Sequence, residues 1–228
     1  MRILALETTE MVGSVAGLND GNVLAELKLS CQQRTAQSLL PAVRSLLGQL
    51  GWRPEQVELV AVTIGPGSFT GLRVGVTAAK VFAYACGAAV LGVGTLEAIA
   101  AGAPDHLEAL SAAVDAQRGE VVAGSFRRNR EGRFEPTGPG RLLAADAWLN
   151  DLPAGTPVAG PVLRKLTDRL PEHITVLSPE YWTPKASTVG RLAARDYAAG
   201  RRDDVWRLVP RYSRRSAAEE KWEQRNPG

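Results

Sequence analysis

The chain has 228 residues, of which 45% are hydrophobic and 22% charged. That balance belongs to an ordinary globular protein, one long enough to bury roughly 70% of its unfolded surface, and it excludes a disordered polymer, a collagen-like repeat or a coiled coil. The formal charge of +3 is uneven: residues 191–228 carry ten Lys or Arg against six Asp or Glu, and residues 1–190 carry 17 against 18.

Three short strands are predicted first, over Arg2–Glu7, Gly13–Leu18 and Val23–Leu29, with Asn19-Asp20-Gly21-Asn22 as a hairpin turn. A helix follows from Arg34 to Leu50, closed by Gly51, with Leu39, Val43, Leu46 and Leu50 in one apolar stripe and Leu40 and Leu47 beside it. The continuous apolar run Leu59–Ile64 suits a parallel strand buried on both faces. Gly65-Pro66-Gly67-Ser68-Phe69-Thr70-Gly71 turns the chain into a second helix, with Ser68 or Thr70 as N-cap and Gly87 just past its end. Ala88–Val93 reads as another strand.

A similar pattern restarts near Leu110. Ser111–Asp115 followed by Glu120–Gly124 echoes Leu4–Glu7 followed by Gly13–Gly17, each an apolar strand ending in a carboxylate before a second strand. This faint repeat favours two related α/β lobes, at 1–104 and 105–190, with a basic helix and tail at 191–228. In the second half, Arg127–Gly140 reads as a hairpin, Ala144–Leu149 and Val162–Leu170 as short helices, and Thr188–Ala199 as a longer helix capped by Ser187.

Cys31 and Cys86 lie 55 residues apart without a CxxC pair, which points to a reduced compartment. The N-terminus has a run of only four apolar residues before Glu7, short of a signal peptide, and the uncharged stretch Val81–Leu96 is only sixteen residues long. A cytoplasmic protein with no membrane contact is expected.

The chemical equipment is sparse. The turn at Gly65–Gly71 lacks the Gly-Lys-Ser/Thr of a Walker loop and does not match GxGxxG. It reads either as a phosphate cradle or as a tight strand-to-helix turn. Glu7 and Asp115 end the first strands of the two lobes, where they would hold a magnesium ion or a water, or simply cap turns. With Thr8, Thr9, Gly65, Gly67 and Ser68 they form the candidate nucleotide or phosphate site of a phosphotransferase or hydrolase. His106 and His173, the only histidines, are 67 residues apart, no GxSxG elbow exists, and no metal site or catalytic residue is assigned. The basic residues Arg201, Arg202, Arg211, Arg214 and Arg215 are candidates for tRNA contact, or mark a docking site for an acidic protein or a solvated helix face.

The run Thr63-Ile64-Gly65-Pro66-Gly67-Ser68-Phe69-Thr70-Gly71-Leu72-Arg73-Val74-Gly75, continuing through Ala79-Lys80, resembles the bacterial TsaB family of tRNA threonylcarbamoyladenosine biosynthesis proteins. Ile3–Thr9, Leu39-Leu40-Pro41, Gly92–Ala98, Asp115–Val121, Pro210-Arg211-Tyr212 and Ala217–Glu220 follow in the family's order. The match is specific over residues 1 to about 125 and loose beyond. It implies the actin-like ATPase fold of Hsp70 and sugar kinases, two ribonuclease H-like lobes. It further implies a non-catalytic, activating partner of the catalytic subunit TsaD, which together with the ATPase TsaE attaches a threonylcarbamoyl group to adenosine 37 of tRNA. The isolated chain is then expected to bind no cofactor, with any ATP or ADP at the complex interface, and to pair with itself when alone.

Two departures limit the carry-over. Glu7 stands where the family often has Asp, and Thr35 where many relatives have His. For the partner surface the resemblance points to the two helices of the first lobe, and Leu39, Leu40, Val43, Leu46, Leu47, Gly71, Arg73, Val74, Gly75 and Ala78 are the expected contacts, with one face turned inward to the lobe's own core and one shared; the alternative is that all of them serve that core.

Overall fold

The computed structural model describes residues 1–214. Its first half builds a five-stranded sheet. β1 (Arg2–Glu7), β2 (Ser14–Asn19) and β3 (Asn22–Lys28) form an antiparallel meander, then α1 (Thr35–Leu50) leads to β4 (Leu59–Gly65), α2 (Phe69–Cys86) and β5 (Ala89–Gly94). The strand order is β3-β2-β1-β4-β5, with β1, β4 and β5 parallel. Strand alternation sorts the side chains: Leu4, Leu6, Val60, Val62 and Ile64 face a core shared with α1 and α2, whereas Ile3, Ala5, Leu59, Ala61 and Leu91 face the other way. The predicted helix ends hold, with Ser68 Oγ accepting from the Gly71 amide and Gly87 left-handed after α2.

A short helix, α3 (Thr95–Ala101), then joins the halves. It is wedged between them, with Ala98 in the core of the first sheet and Leu96, Ile99 and Ala100 in that of the second. The sequence carries no helix signal here, because a segment buried on nearly every side shows no amphipathic period.

The second half repeats the first. β6 (Ala109–Asp115) and β7 (Glu120–Arg128) are antiparallel, and the outer strands β8 (Phe134–Pro136) and β9 (Arg141–Ala144) both pair with β7. α4 (Ala145–Asp151) precedes β10 (Pro157–Ala159), which runs parallel to β6. The four-residue α5 (Leu163–Leu166) leads to β11 (Thr175–Val176), parallel to β10. The two- and three-residue strands β10 and β11 are too short to be read from a pattern. The expected helix over 162–170 is one α-helical turn followed by a 3₁₀ turn.

α6 (Ala186–Ala198) returns to the first sheet and covers its second face, packing Ala186, Val189 and Ala193 against Ile3, Ala5, Ala16 and Leu18. Gly190 lets it sit this close, since a Cβ there would stand 2.4 Å from Leu18 Cδ1. The expected boundary at residue 190 therefore falls inside a helix. The whole is the α/β, two-lobed architecture of the actin-like fold.

Candidate functional site

The end of β1 meets the glycine turn before α2. Glu7 is fully buried; its Oε1 accepts from the Thr9 amide at 2.6 Å and from the Thr9 hydroxyl. Its Oε2 has no hydrogen-bond partner among the described residues. Burial pushes the Glu7 carboxyl up to about 7, against the pull of the two Thr9 bonds. The glycines are pressed onto this turn. A Cβ at Gly71 would lie 1.9 Å from the Thr8 carbonyl oxygen, one at Gly75 2.1 Å from Thr8 Oγ1, and one at Gly67 2.6 Å from Thr9 Cβ. The Ser68 amide donates to the Thr9 carbonyl at 2.9 Å and the Gly71 amide to Ser68 Oγ at 3.2 Å.

Glu7, Thr8, Thr9, Gly65, Gly67 and Ser68 thus come together as expected, but as a packed junction. A phosphate cradle presents free amides around an open concavity, and here the Ser68 and Gly71 amides are engaged and the β1 turn packs directly against Gly67, Gly71 and Gly75. Asp115 has partners of its own. It accepts from Lys165 Nζ at 2.5 Å and from the Gln117 amide at 3.1 Å. Among the described residues no group of three His, Cys, Asp or Glu side chains is placed to hold a metal ion. The residues present do not fit a nucleotide phosphate and magnesium, so no chemical step is assigned to them.

Two acids and two bases meet across the lobes. Glu10, three residues beyond Glu7, pairs with Arg164 of α5 at 3.5 Å, next to the Asp115–Lys165 pair. Burial also pushes Glu10 up to about 7, and the Arg164 and Lys165 charges only partly oppose this. Neither Glu10 nor Arg164 was singled out from sequence; 154 residues separate them, and no local spacing joins them. Elsewhere between the lobes a cleft of about 460 Å³ is walled by Leu96, Glu97, Phe126, Leu142, Arg211 and Tyr212.

The predicted partner stripe requires correction. Leu39, Val43, Leu46 and Leu47 are buried in the first lobe's own core, because α1 lays that side on β2 and β3. Gly71 and Gly75 are spent on Thr8, and Val74 and Ala78 are half-buried against the same core. Arg73 is exposed, with its guanidinium 4.1 Å over the Phe69 ring and its Nε donating to the Tyr212 hydroxyl at 3.1 Å. The apolar groups that do face outward are Leu40 on α1 (61% exposed) and Val81 and Tyr84 on α2 (63% and 68%). Trp206, 69% exposed, meets the Tyr84 ring edge-on at 5.2 Å. The signal available in the sequence was the inverted amphipathicity of α2: small residues face inward while Val81 and Tyr84 continue the outward stripe of Arg73 and Thr77.

After α6 the chain crosses α2 as a strap. Lys80 Nζ holds the Trp206 and Leu208 carbonyls at 3.2 and 3.1 Å, Leu208 is buried in the first core, and the Arg211 amide donates to the Ile64 carbonyl at 2.6 Å. The basic residues are mostly committed here. Arg201 is spent on Asp196, Asp203 and the Gly92 carbonyl, which corrects its expected role on tRNA. Arg214 pairs with Glu120. Arg202 lies 3.4 Å from the Tyr197 ring centre, and Arg202 and Arg211 are exposed. Arg215 lies outside the described residues. Among the described residues no helix is long and apolar enough to cross a membrane.

The comparisons with known proteins agree with one another. The family model described as TsaD, tRNA N6-adenosine threonylcarbamoyltransferase, matches residues 28–153. The tRNA threonylcarbamoyladenosine biosynthesis protein TsaB of Bacillus subtilis is 30% identical over 97% of this chain and 98% of its own length, and that of Escherichia coli is 37% identical over 58% of each chain. The solved structure of YeaZ from Pseudomonas aeruginosa superposes with a TM-score of 0.81 at 29% identity, covering 92% of this chain and 99% of that one. Component A of Acidaminococcus fermentans (R)-2-hydroxyglutaryl-CoA dehydratase shares the fold at a TM-score of 0.50 and 9% identity, over 87% of this chain and 99% of that one.

Proposed function

From the premise that the chain belongs to the TsaB family of tRNA threonylcarbamoyladenosine biosynthesis proteins, we propose that it serves that pathway as a non-catalytic, activating subunit whose α1–α2 face docks a TsaD-type catalytic partner. The reading rests above all on the apolar groups Leu40, Val81, Tyr84 and Trp206, which stand in solvent on the outer sides of these neighbouring helices and the strap. Isolated exposed apolar residues are ordinary, but large aromatics gathered on one side fit a docking surface. A non-catalytic role is supported by the plugged glycine turn. The match of the TsaD family model to residues 28–153 supports a partner of the same lobe architecture, so helix pair would meet helix pair. Activation then means that the partner's competent conformation binds this face better than its idle one.

TsaE, an interface nucleotide and tRNA enter through that assembly, and pairing of two copies of this chain would use the same face. Arg202 and Arg211 are the exposed candidates for phosphate contacts, which would show as a steep loss of tRNA affinity with salt. The test is mass measurement in solution of the chain alone and mixed with its cognate TsaD. A one-to-one complex that restores tRNA modification is expected. Full modification by TsaD without this chain, or turnover of ATP by this chain alone, overturns the reading.

A further inference from the structure

The helices of the docking face carry charge of one sign. Neither contains an Asp or Glu: α1 has Arg44, and α2 has Arg73 and Lys80. Lys80 is spent on the strap carbonyls, whereas Arg44 and Arg73 are exposed and neither is paired with a carboxylate among the described residues. Arg44 stands one turn after Leu40 and shares with it, Pro41 and Ser45 a concavity on the outer side of α1. Arg73 lies on the outward stripe that Val81 and Tyr84 continue, and its side chain is already positioned. The guanidinium lies 4.1 Å over the Phe69 ring, and its Nε donates to the Tyr212 hydroxyl at 3.1 Å, which leaves both Nη groups without a partner among the described residues. The acids beside these elements do not answer the two cations. Asp204 of the strap accepts from the Trp206 amide and pairs with Arg207, and Glu55 stands near Cys86, at the opposite end of α2 from Arg73.

We propose that this face is charge-selective: Arg44 and Arg73 receive carboxylates of an acidic partner protein, and they bias the chain toward such a partner and away from a second copy of itself. The proposal rests on the docking reading above and adds the chemistry of the surface that fits it. An arginine fork takes a carboxylate through two parallel bonds, and a guanidinium already fixed on a ring loses less freedom in doing so. Two copies of this chain pairing through one face would bring the same patch against itself. Arg44 and Arg73 would then lose water against helices that offer no carboxylate in return, and an unpaired charge covered at an interface is costly. Leu40 and Val81 on the same outer sides favour a protein over RNA, because aliphatic groups gain by burial against other apolar groups and gain nothing from a phosphate backbone.

The experiment compares the wild type with the double variant Arg44→Gln, Arg73→Gln in two measurements: calorimetric affinity for the cognate TsaD at low and high salt, and self-association by sedimentation equilibrium. Loss of the two charges is expected to weaken TsaD binding about tenfold and to flatten its salt dependence, while self-association strengthens about tenfold. The opposite signs are diagnostic, since a structural defect would weaken both affinities together. The proposal falls if the variant binds TsaD as the wild type does, or if its self-association is unchanged or weaker. It also falls if the variant loses only the tRNA affinity of the assembled complex, which would assign the cations to phosphates. A wild type that does not bind TsaD at all overturns the docking reading itself, and this proposal with it.

Discussion

Glu7 is a carboxyl enclosed by its own lobe, with one oxygen bonded to Thr9 and the other bonded to nothing described. Its proton affinity is raised, so the folded state binds a proton more tightly than the unfolded chain does. Stability from this source is fully present below about 4.5 and is lost as pH rises through about 7. A shift of that size corresponds to about 3 kcal/mol at most. Glu7→Gln is expected to be more stable than the wild type by 1–3 kcal/mol at about pH 8 in urea unfolding, the gap closing near pH 4.5; an equal gap at both pH values refutes the assignment. The neighbouring glycines offer a second check. Gly75→Ala drives a methyl into Thr8 Oγ1 and is expected to cost about 1–3 kcal/mol, in the manner of overpacked cores. Gly48→Ala in α1 meets nothing within 4 Å and is expected to stabilise the chain by up to about 1 kcal/mol through helix propensity. The two are compared by denaturant midpoints.

At the scale of elements, α1 and α2 each show one side to the core and one to solvent, and it is the solvent side that the docking proposal uses. Leu40→Glu together with Tyr84→Asp is expected to weaken TsaD binding at least a hundredfold while leaving the thermal midpoint nearly unchanged, since both side chains are mostly exposed. Val43→Glu is no such test, because Val43 is core and the chain would unfold. Undiminished binding by the double variant, read by calorimetry, removes the face from consideration. The first lobe was largely legible: the hairpin turn at Asn19–Asn22, Ser68 as cap and the glycines after α1 and α2 are local signals with local causes. The direction of the α1 stripe was not, because an apolar stripe states that a face is covered and not by what. The choice between a phosphate cradle and a tight strand-to-helix turn at Gly65–Gly71 was not legible for a related reason. A glycine turn has the same sequence whether it opens to a ligand or closes on Thr8 and Thr9, and only the packing of β1 against it decides. The Glu10–Arg164 pair lies beyond any local pattern.

At the scale of the molecule, the strap after α6 ties the pieces together. It is anchored in the first core by Leu208, held on α2 by Lys80, and reaches the β6–β7 turn of the other lobe through Arg214 and Glu120. Leu208→Ala is expected to cost about 2–4 kcal/mol of global stability. Lys80→Met is expected to cost less globally but to speed amide exchange over residues 205–212 at least tenfold. Slow exchange of those amides in the Lys80 variant would show that the strap does not depend on that ammonium group.

The first sheet has one side closed by helices made early and the other by α6, contributed some 170 residues after β2. Synthesis runs from the N-terminus, and an emerging domain can finish folding only when its last structural piece has left the ribosome. Ile3, Ala5 and Leu18 therefore stay uncovered through most of translation. Nascent chains halted before residue 186 should accordingly be ready clients for chaperones and prone to precipitate, whereas those released beyond 208 should not.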